Sequence, residues 1–218
     1  MNILNKQNSL FNQYLSEVRD SKIQTDSLRF RHNLERMGSI FAYEISKNLN
    51  YSAKEVNTPL GIAEESILNE NPVIVSIMRA GLPIHQGMTR FYDKADNGFV
   101  SIYRNPEKDG NVKLKPEYVS CPDLEGKTLI LIDAIIASGS SIMMAYQALL
   151  QNGVPRHTHF VSLVGSKEGI ESIRKRYSAQ NVTIWLGALD AELTVRSFVV
   201  PGIGDVGDLA FGSKPPII

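Results

Sequence analysis

Short apolar runs bounded by turn signals recur along the chain. Leu129–Ile132, Val73–Ile77 (opened by Pro72), Phe99–Tyr103, His157–Gly165 and Val182–Leu186 each have the length and content of a buried strand. Between them the spacing changes to that of one helix face. Ile142, Ala145, Tyr146, Leu149 and Leu150 recur at i, i+3, i+4, i+7 and i+8, and Gly153 supplies a stop. Similar patterns predict helices from Leu82 to about Tyr92 and over Glu168–Tyr177. Near the N-terminus, Leu10, Tyr14, Leu15 and Val18 predict a short amphipathic helix. Phe30, Leu34, Met37, Ile40, Phe41, Tyr43 and Ile45 predict a longer one, capped by Asp26 or Ser27 and running to about Asn48. Thr58–Gly61 reads as a turn, and Lys108–Asn111 as a hairpin tip before a polar strand, Val112–Val119, that carries Pro116.

Strands joined by helices predict an α/β fold: a mostly parallel sheet with helices on both faces. The N-terminal helices and a protruding β-arm near residues 104–120 are additions to it. Nothing resembles a linker, so residues 1–218 are expected to form one domain.

One stretch carries more than packing. Thr128–Ile132 is followed by an acid, Asp133, then by the small residues Ala137, Ser138, Gly139, Ser140 and Ser141, and then by the helix. The first N–H groups of a helix lack internal partners, and its dipole favours an anion there. The dipole is worth only ~0.3–1 kcal/mol. Most of the affinity for an anion has to come from converging N–H and O–H bonds, at about 1.5–3 kcal/mol each. Asp133 stands where a carboxylate could accept the hydroxyls of a sugar attached to that anion. The loop reads as a cradle for ribose 5-phosphate, or more plainly as a βα turn in which Ser caps the helix.

Composition narrows the field. The chain has 218 residues, 43% of them apolar, with 23 basic and 23 acidic residues and no formal net charge. A surface coating nucleic acid is therefore not expected, although a local basic pocket remains compatible. The single cysteine, Cys121, provides neither a disulfide framework nor a cysteine zinc site. The start of the chain is too polar for a signal peptide, and no apolar run approaches the ~20 residues of a membrane helix. A soluble, cytoplasmic protein is expected.

A second strand also ends in chemistry, at Met78-Arg79-Ala80-Gly81. Ligands of open α/β sheets bind outside the carboxyl ends of strands, so Arg79 is a candidate to grip an anionic oxygen with its planar fork. His157 and His159 lie on one face of a strand; without a third ligand in view they read as surface histidines. Arg29 and Arg31 read as solvated helix charges. Gly202, Gly204 and Gly207 spell G-x-G-x-x-G, but no second strand with an acid about 20 residues on can follow. That segment reads as a glycine-rich loop with two acids, Asp205 and Asp208, that could hold hydrated Mg²⁺ or bond a substrate. P-loop, nucleophile-elbow and H-E-x-x-H patterns are missing from the sequence.

Taken together, Asp133–Ser141 resembles the phosphoribosyl-diphosphate (PRPP) loop of phosphoribosyltransferases. The chain from Glu17 to Lys214 resembles the uracil phosphoribosyltransferase family. Supporting segments are Glu17-Val-Arg-Asp20, Leu28-Arg-Phe-Arg31, Val56–Gly61, Arg79-Ala-Gly-Leu82, Ile102-Tyr-Arg104 and, most specifically, Val199–Asp208 with Phe211-Gly212.

The resemblance implies that uracil and PRPP, with Mg²⁺ on the PRPP, give UMP and diphosphate. It implies that Arg79 and Arg104 face the diphosphate. Asp133, Ala134, Ile135, Ile136, Ala137, Ser138, Gly139, Ser140 and Ser141 hold the ribose and its 5-phosphate. Val199, Gly204, Asp205 and Val206 read uracil, with Asp205 also against PRPP. Arg79, Arg104, Asp133 and Asp205 would then act by electrostatics and positioning, without a covalent nucleophile. The resemblance further implies a dimer or larger homo-oligomer and, in some members, activation by GTP. Ala134, Ser140, Phe198 and Leu209 stand where the family pattern has proline, glycine, tyrosine and, in many members, arginine; Ser140 would be strained if its position needed φ > 0. A phosphoribosyltransferase for another base and a non-catalytic PRPP- or UMP-sensing regulator are the competing readings.

Overall fold

A computed structural model describes residues 1–106, 112–195 and 197–214. In chain order the elements are β1 (Asn2–Ile3), α1 (Leu10–Arg19), α2 (Ser27–Ser46), β2 (Tyr51–Thr58), β3 (Gly61–Leu68), β4 (Val73–Met78), α3 (Leu82–Thr89), β5 (Asn97–Pro106), β6 (Val112–Ser120), β7 (Thr128–Ile132) and β8 (Ile135–Ile136). There follow α4 (Ser140–Leu149), β9 (His157–Ser166), α5 (Lys167–Arg176), β10 (Val182–Asp190), β11 (Glu192–Leu193), β12 (Val199–Val200) and α6 (Val206–Phe211). The main sheet runs β1-β10-β9-β7-β4-β5-β6, with β8 added along β9. Every pairing in it is parallel except β5 with β6.

Alternate strand residues serve opposite faces, as the two-residue period of a strand requires. Ile74, Ile130, Val161 and Trp185 pack with Phe11, Leu34, Phe41 and Ile84 of α1, α2 and α3. Val75, Leu129, Leu131 and Phe160 pack with Ile142 and Leu149 of α4 and Ile170 of α5. Helices therefore cover both faces, as the sequence pattern predicts.

From β4 the chain moves outward to β5 and β6, then returns across to β7 and continues through β9 to β10. The order reverses between β4 and β7. That switch point is where an open α/β sheet leaves a crevice for a ligand, and the strand ends flanking it carry Arg79 and Asp133. β5 pairs with β4 only from Asn97 to Ser101. Beyond a register shift at Ser101/Ile102 it pairs with β6 alone, Pro116 lying opposite Ile102, so the expected arm is present. Its expected tip, Lys108–Asn111, lies outside the described residues.

Several expectations need correction. Leu10 is 67% exposed, and Phe11 takes its place in the core. Tyr43 is 55% exposed rather than part of the buried stripe of α2. The Thr58–Gly61 turn joins two strands that the reading missed, because β2 and β3 form an exposed ribbon with no core face to impose alternation. Asp26 does cap α2, accepting from the N–H groups of Leu28 and Arg29 at 3.0 Å each. Arg29 is not merely solvated: its guanidinium reaches both Glu17 oxygens at 2.9 Å and ties α2 to α1. Arg31 donates to the Ala210 carbonyl at 2.6 Å.

His159 is not a surface histidine, whereas His157 is half-buried at the rim of a polar hollow. His159 is 3% exposed and accepts the Trp185 indole N–H at Nδ1, 3.0 Å away. His157 lies against it in a tilted contact, ring centroids 4.8 Å apart, bonded to Gln180 and Thr183. No group of three metal-ligating side chains occurs among the described residues, nor does a helix long and apolar enough to cross a membrane.

Burial lowers His85 as well, but His159 and Glu17 carry the large shifts that make stability depend on acid. Burial, with His157 alongside, holds His159 at about 3 against an ordinary 6.5. The unfolded chain therefore binds that proton first, and stability falls as pH drops from 6.5 toward 3. The Arg29 guanidinium, helped by Asn33 and Gln13, holds Glu17 at about 2 against 4.5. Its contribution is present above pH 4.5 and disappears as pH falls toward 2. Urea midpoints measured across this range should decline in two stages. His159→Asn should flatten the upper stage and Glu17→Gln the lower; an unchanged slope in either variant would contradict the assignment.

Candidate active site

Residues 133–141 fold as a series of supports for the start of α4. The Asp133 N–H donates to the Val161 carbonyl at 3.0 Å, and the chain then rejoins β9 as β8. The buried Ala134 offers its carbonyl to Ser162 Oγ and to the Leu163 N–H, each at 3.1 Å. Ser166 Oγ donates to the Ala137 carbonyl at 2.5 Å while accepting from the Gly169 N–H at 2.9 Å. Thus α5's own N-cap also fixes the loop. Gly139 is the N-cap of α4 at φ +82°, and a Cβ there would meet the Gly169 carbonyl at 3.0 Å. Left-handed backbone and close approach both call for glycine at this position.

Among the described residues other than glycine only Ser197 has positive φ, so Ser140 takes the first helical position without strain. Its Oγ lies 2.9 Å from that of Ser138. The loop therefore presents hydroxyls and open helix N–H groups around one small recess, lined by Asp133, Ile135–Ile136 and Ala137–Ile142. Ile136 contributes backbone only, since its side chain is in the core.

That recess adjoins a cleft of about 490 Å³. Asp133, Ala134, Ile135, Ala137 and Ser141 form one wall. Phe198, Val199 and Gly204–Gly207 form another, so sequence-distant candidates do converge. Lys214, which the sequence reading did not single out, also reaches the cleft. A polar hollow of about 420 Å³ lies at the opposite edge, where Thr128 and His157 begin their strands. Position at the switch point, not size, distinguishes the cleft.

The C-terminal segment is more ordered than a plain loop. Val199–Val200 pairs with Glu192–Leu193, and the glycine-rich stretch ends by opening α6, a six-residue helix. Asp205 is its N-cap, accepting from the Asp208 N–H at 3.0 Å. Gly204 and Asp205 are exposed to the cleft, while Val206 is buried. Leu209 packs on the core cluster, its Cδ1 lying 3.7 Å from where a Cβ of Gly204 would stand.

Arg79 is not a cleft-lining residue. Its guanidinium turns to α6, meeting Asp208 at 3.0 Å and the Gly212 carbonyl at 3.2 Å, so Asp208 is an ion-pair partner. Arg79 Nε is buried without a hydrogen-bond partner among the described residues. Arg104 lies on β5, but its side chain is outside the described part.

Sequence reasoning also missed what holds the C-terminal loop. Arg19 pairs with Asp190 through its two terminal guanidinium nitrogens, at 2.9 and 2.8 Å, and both residues bond Gly202. The available signal was Asp190 itself, a further acid at a strand's carboxyl end on the same edge.

With the geometry in place, comparison with known proteins gives a consistent result. A model of the family described as uracil phosphoribosyltransferase matches residues 5–213. The uracil phosphoribosyltransferase of Porphyromonas gingivalis is 44% identical over 211 residues, 97% of each chain. That of Dictyoglomus thermophilum is 37% identical over 204 residues, covering 92% of this chain and 94% of the relative. A solved structure from Aquifex aeolicus superposes with a TM-score of 0.83 at 27% identity, covering 94% of this chain and 96% of the other. The chain belongs to the uracil phosphoribosyltransferase family.

Proposed function

We propose that the protein transfers the 5-phosphoribosyl group of PRPP to N1 of uracil, giving UMP and diphosphate, a pyrimidine salvage reaction. The observation that carries this reading is the meeting, across one cleft, of the Asp133–Ser141 cradle and the exposed Gly204–Asp205 backbone. One can hold a sugar phosphate and the other a flat base, and the reacting atoms would lie between them.

The N1–C1′ bond forms as the C1′–oxygen bond to diphosphate breaks, with positive charge on the ribose and negative charge on the leaving group. The N1 proton is lost to solvent or diphosphate. The residues act by holding the two partners in line and by favouring the charge that develops. Asp133 accepts the ribose hydroxyls, and the N–H and O–H groups at Ser138–Ser141 take the 5-phosphate. Arg79 is assigned the diphosphate side by family likeness, and serving it would require its guanidinium to leave Asp208. Arg104 is assigned the same role by family likeness. Backbone C=O and N–H groups at Val199 and Gly204–Val206 pair with uracil N3–H and O4. Cytosine presents the reverse pattern and would leave them unpaired, at about 1–3 kcal/mol each.

Asp133 and Asp205 supply hard oxygen donors beside the cleft, with no multi-carboxylate cage among the described residues. That set fits Mg²⁺ held mainly by the oxygens of PRPP. When bound, the ion neutralises part of the diphosphate charge. Residues 1–218 are taken as one phosphoribosyltransferase unit, because both apolar clusters share the same sheet. Assembly into a homo-oligomer is supported by Leu60 and Ile62, which the β2–β3 ribbon leaves exposed. Activation by GTP and a cytoplasmic location belong to the proposal through family likeness.

Incubation with Mg²⁺, PRPP and each of uracil, cytosine, hypoxanthine and orotate should yield diphosphate with uracil alone. Release with another base would contradict the reading, and PRPP binding without turnover would favour a regulator. Asp133→Asn should raise the PRPP dissociation constant about 10-fold or more, as loss of a charged acceptor requires. An unchanged constant would remove Asp133 from the ribose site.

A further inference from the structure

Backbone groups that read a base have no rotamers of their own. They point wherever the loop is held, so the residues that fix the loop govern the recognition. In the Val199–Asp205 segment the central anchor is Gly202. Its N–H donates to Asp190 Oδ2 at 2.8 Å, and its carbonyl accepts from Arg19 Nη1 at 2.9 Å. The same Arg19 and Asp190 form a two-point ion pair. One ion pair thus takes both polar groups of one loop residue.

The setting favours rigidity. The Asp190 side chain is 7% exposed and that of Arg19 22%. Gly202 has φ +62°, and a Cβ there would strike the Val199 carbonyl, so the loop is tight at the clamp. The next carbonyl, that of Ile203, accepts from Gln24 Nε2 at 3.3 Å, and the same amide reaches the Val18 carbonyl at 3.0 Å. The anchors come from the end of α1, from the turn after it and from the end of β10. They meet two residues before Gly204. Neither Arg19 nor Asp190 lines the cleft.

We propose that Arg19 and Asp190 are positioning residues for base recognition: their ion pair, bonded to both sides of Gly202, sets where Gly204–Val206 present their hydrogen-bonding edge to uracil. This rests on the functional reading above and deepens it. Arg19 suits the task because its planar fork can serve two carboxylate oxygens and a carbonyl together, which an ammonium cannot do in fixed geometry. The clamp lies on the base side of the cleft, away from the Asp133–Ser141 cradle. Its loss should therefore separate the two substrates.

The test is steady-state kinetics and direct PRPP binding on Arg19→Ala, Arg19→Lys, Asp190→Asn and the double Arg19→Ala/Asp190→Ala. The uracil KM of Arg19→Ala should rise about 10- to 100-fold, the range of a lost charge-assisted bond. The PRPP dissociation constant should stay within about twofold. Arg19→Lys and Asp190→Asn should fall between parent and alanine variant. The double variant removes the buried unpaired charge, so it should be more stable than Arg19→Ala yet keep the raised uracil KM. If Arg19→Ala does not fold, Gln24→Ala removes only the bonds from the side, and its uracil KM should still rise about threefold. A folded variant with parent-like uracil KM, or uracil and PRPP parameters moving together, overturns the clamp. Uracil turnover by the unaltered protein is the control, whose failure would count against the functional reading instead.

Discussion

The cleft depends on one constraint: both of its walls present main-chain groups, and main-chain groups have to be aimed by whatever surrounds them. At the start of α4 the aim is set by Gly139 in the left-handed region, by Ser166 bonding Ala137, and by Ser162 bonding Ala134. At the other wall it is set by the Asp205 cap and by the Arg19–Asp190 hold on Gly202. Arg79 bonds α6 from the end of β4 and joins the two halves. The N-terminal helices, which a minimal α/β sheet would not need, thereby become part of the site's scaffold.

What the sequence made legible follows from short-range physics. The buried runs and the 3.6-residue spacing place β4, β7, β9, α3, α4 and α5 close to where they lie. Asp133 and Arg79 stand out because both follow an apolar run. Exposed elements were harder. The β2–β3 ribbon has no buried face, so only its turn left a trace. Leu10 and Phe11 are adjacent apolar residues, and spacing alone does not say which turns inward. His159 looked like a surface residue because its partner, Trp185, lies on another strand. The Arg19–Asp190 pair spans 171 positions and is beyond any local pattern.

The departures from the family pattern sit where the fold tolerates them. Ser140 does not occupy the left-handed position, which falls on Gly139. Ala134 is buried and serves through its carbonyl, a group proline would also carry. Leu209 trades a charge for packing against the core beneath Gly204. Phe198 keeps its ring at the cleft without a hydroxyl. None of the four removes a main-chain group from either wall.

The most direct measurement of the central claim is a crystal structure with UMP. The account predicts the 5-phosphate within ~2.7–3.2 Å of the donors at Ser138–Ser141 and the uracil edge at the same range from the Gly204–Val206 backbone. A nucleotide bound at another edge of the sheet, or one whose base is held only by side chains, would contradict it.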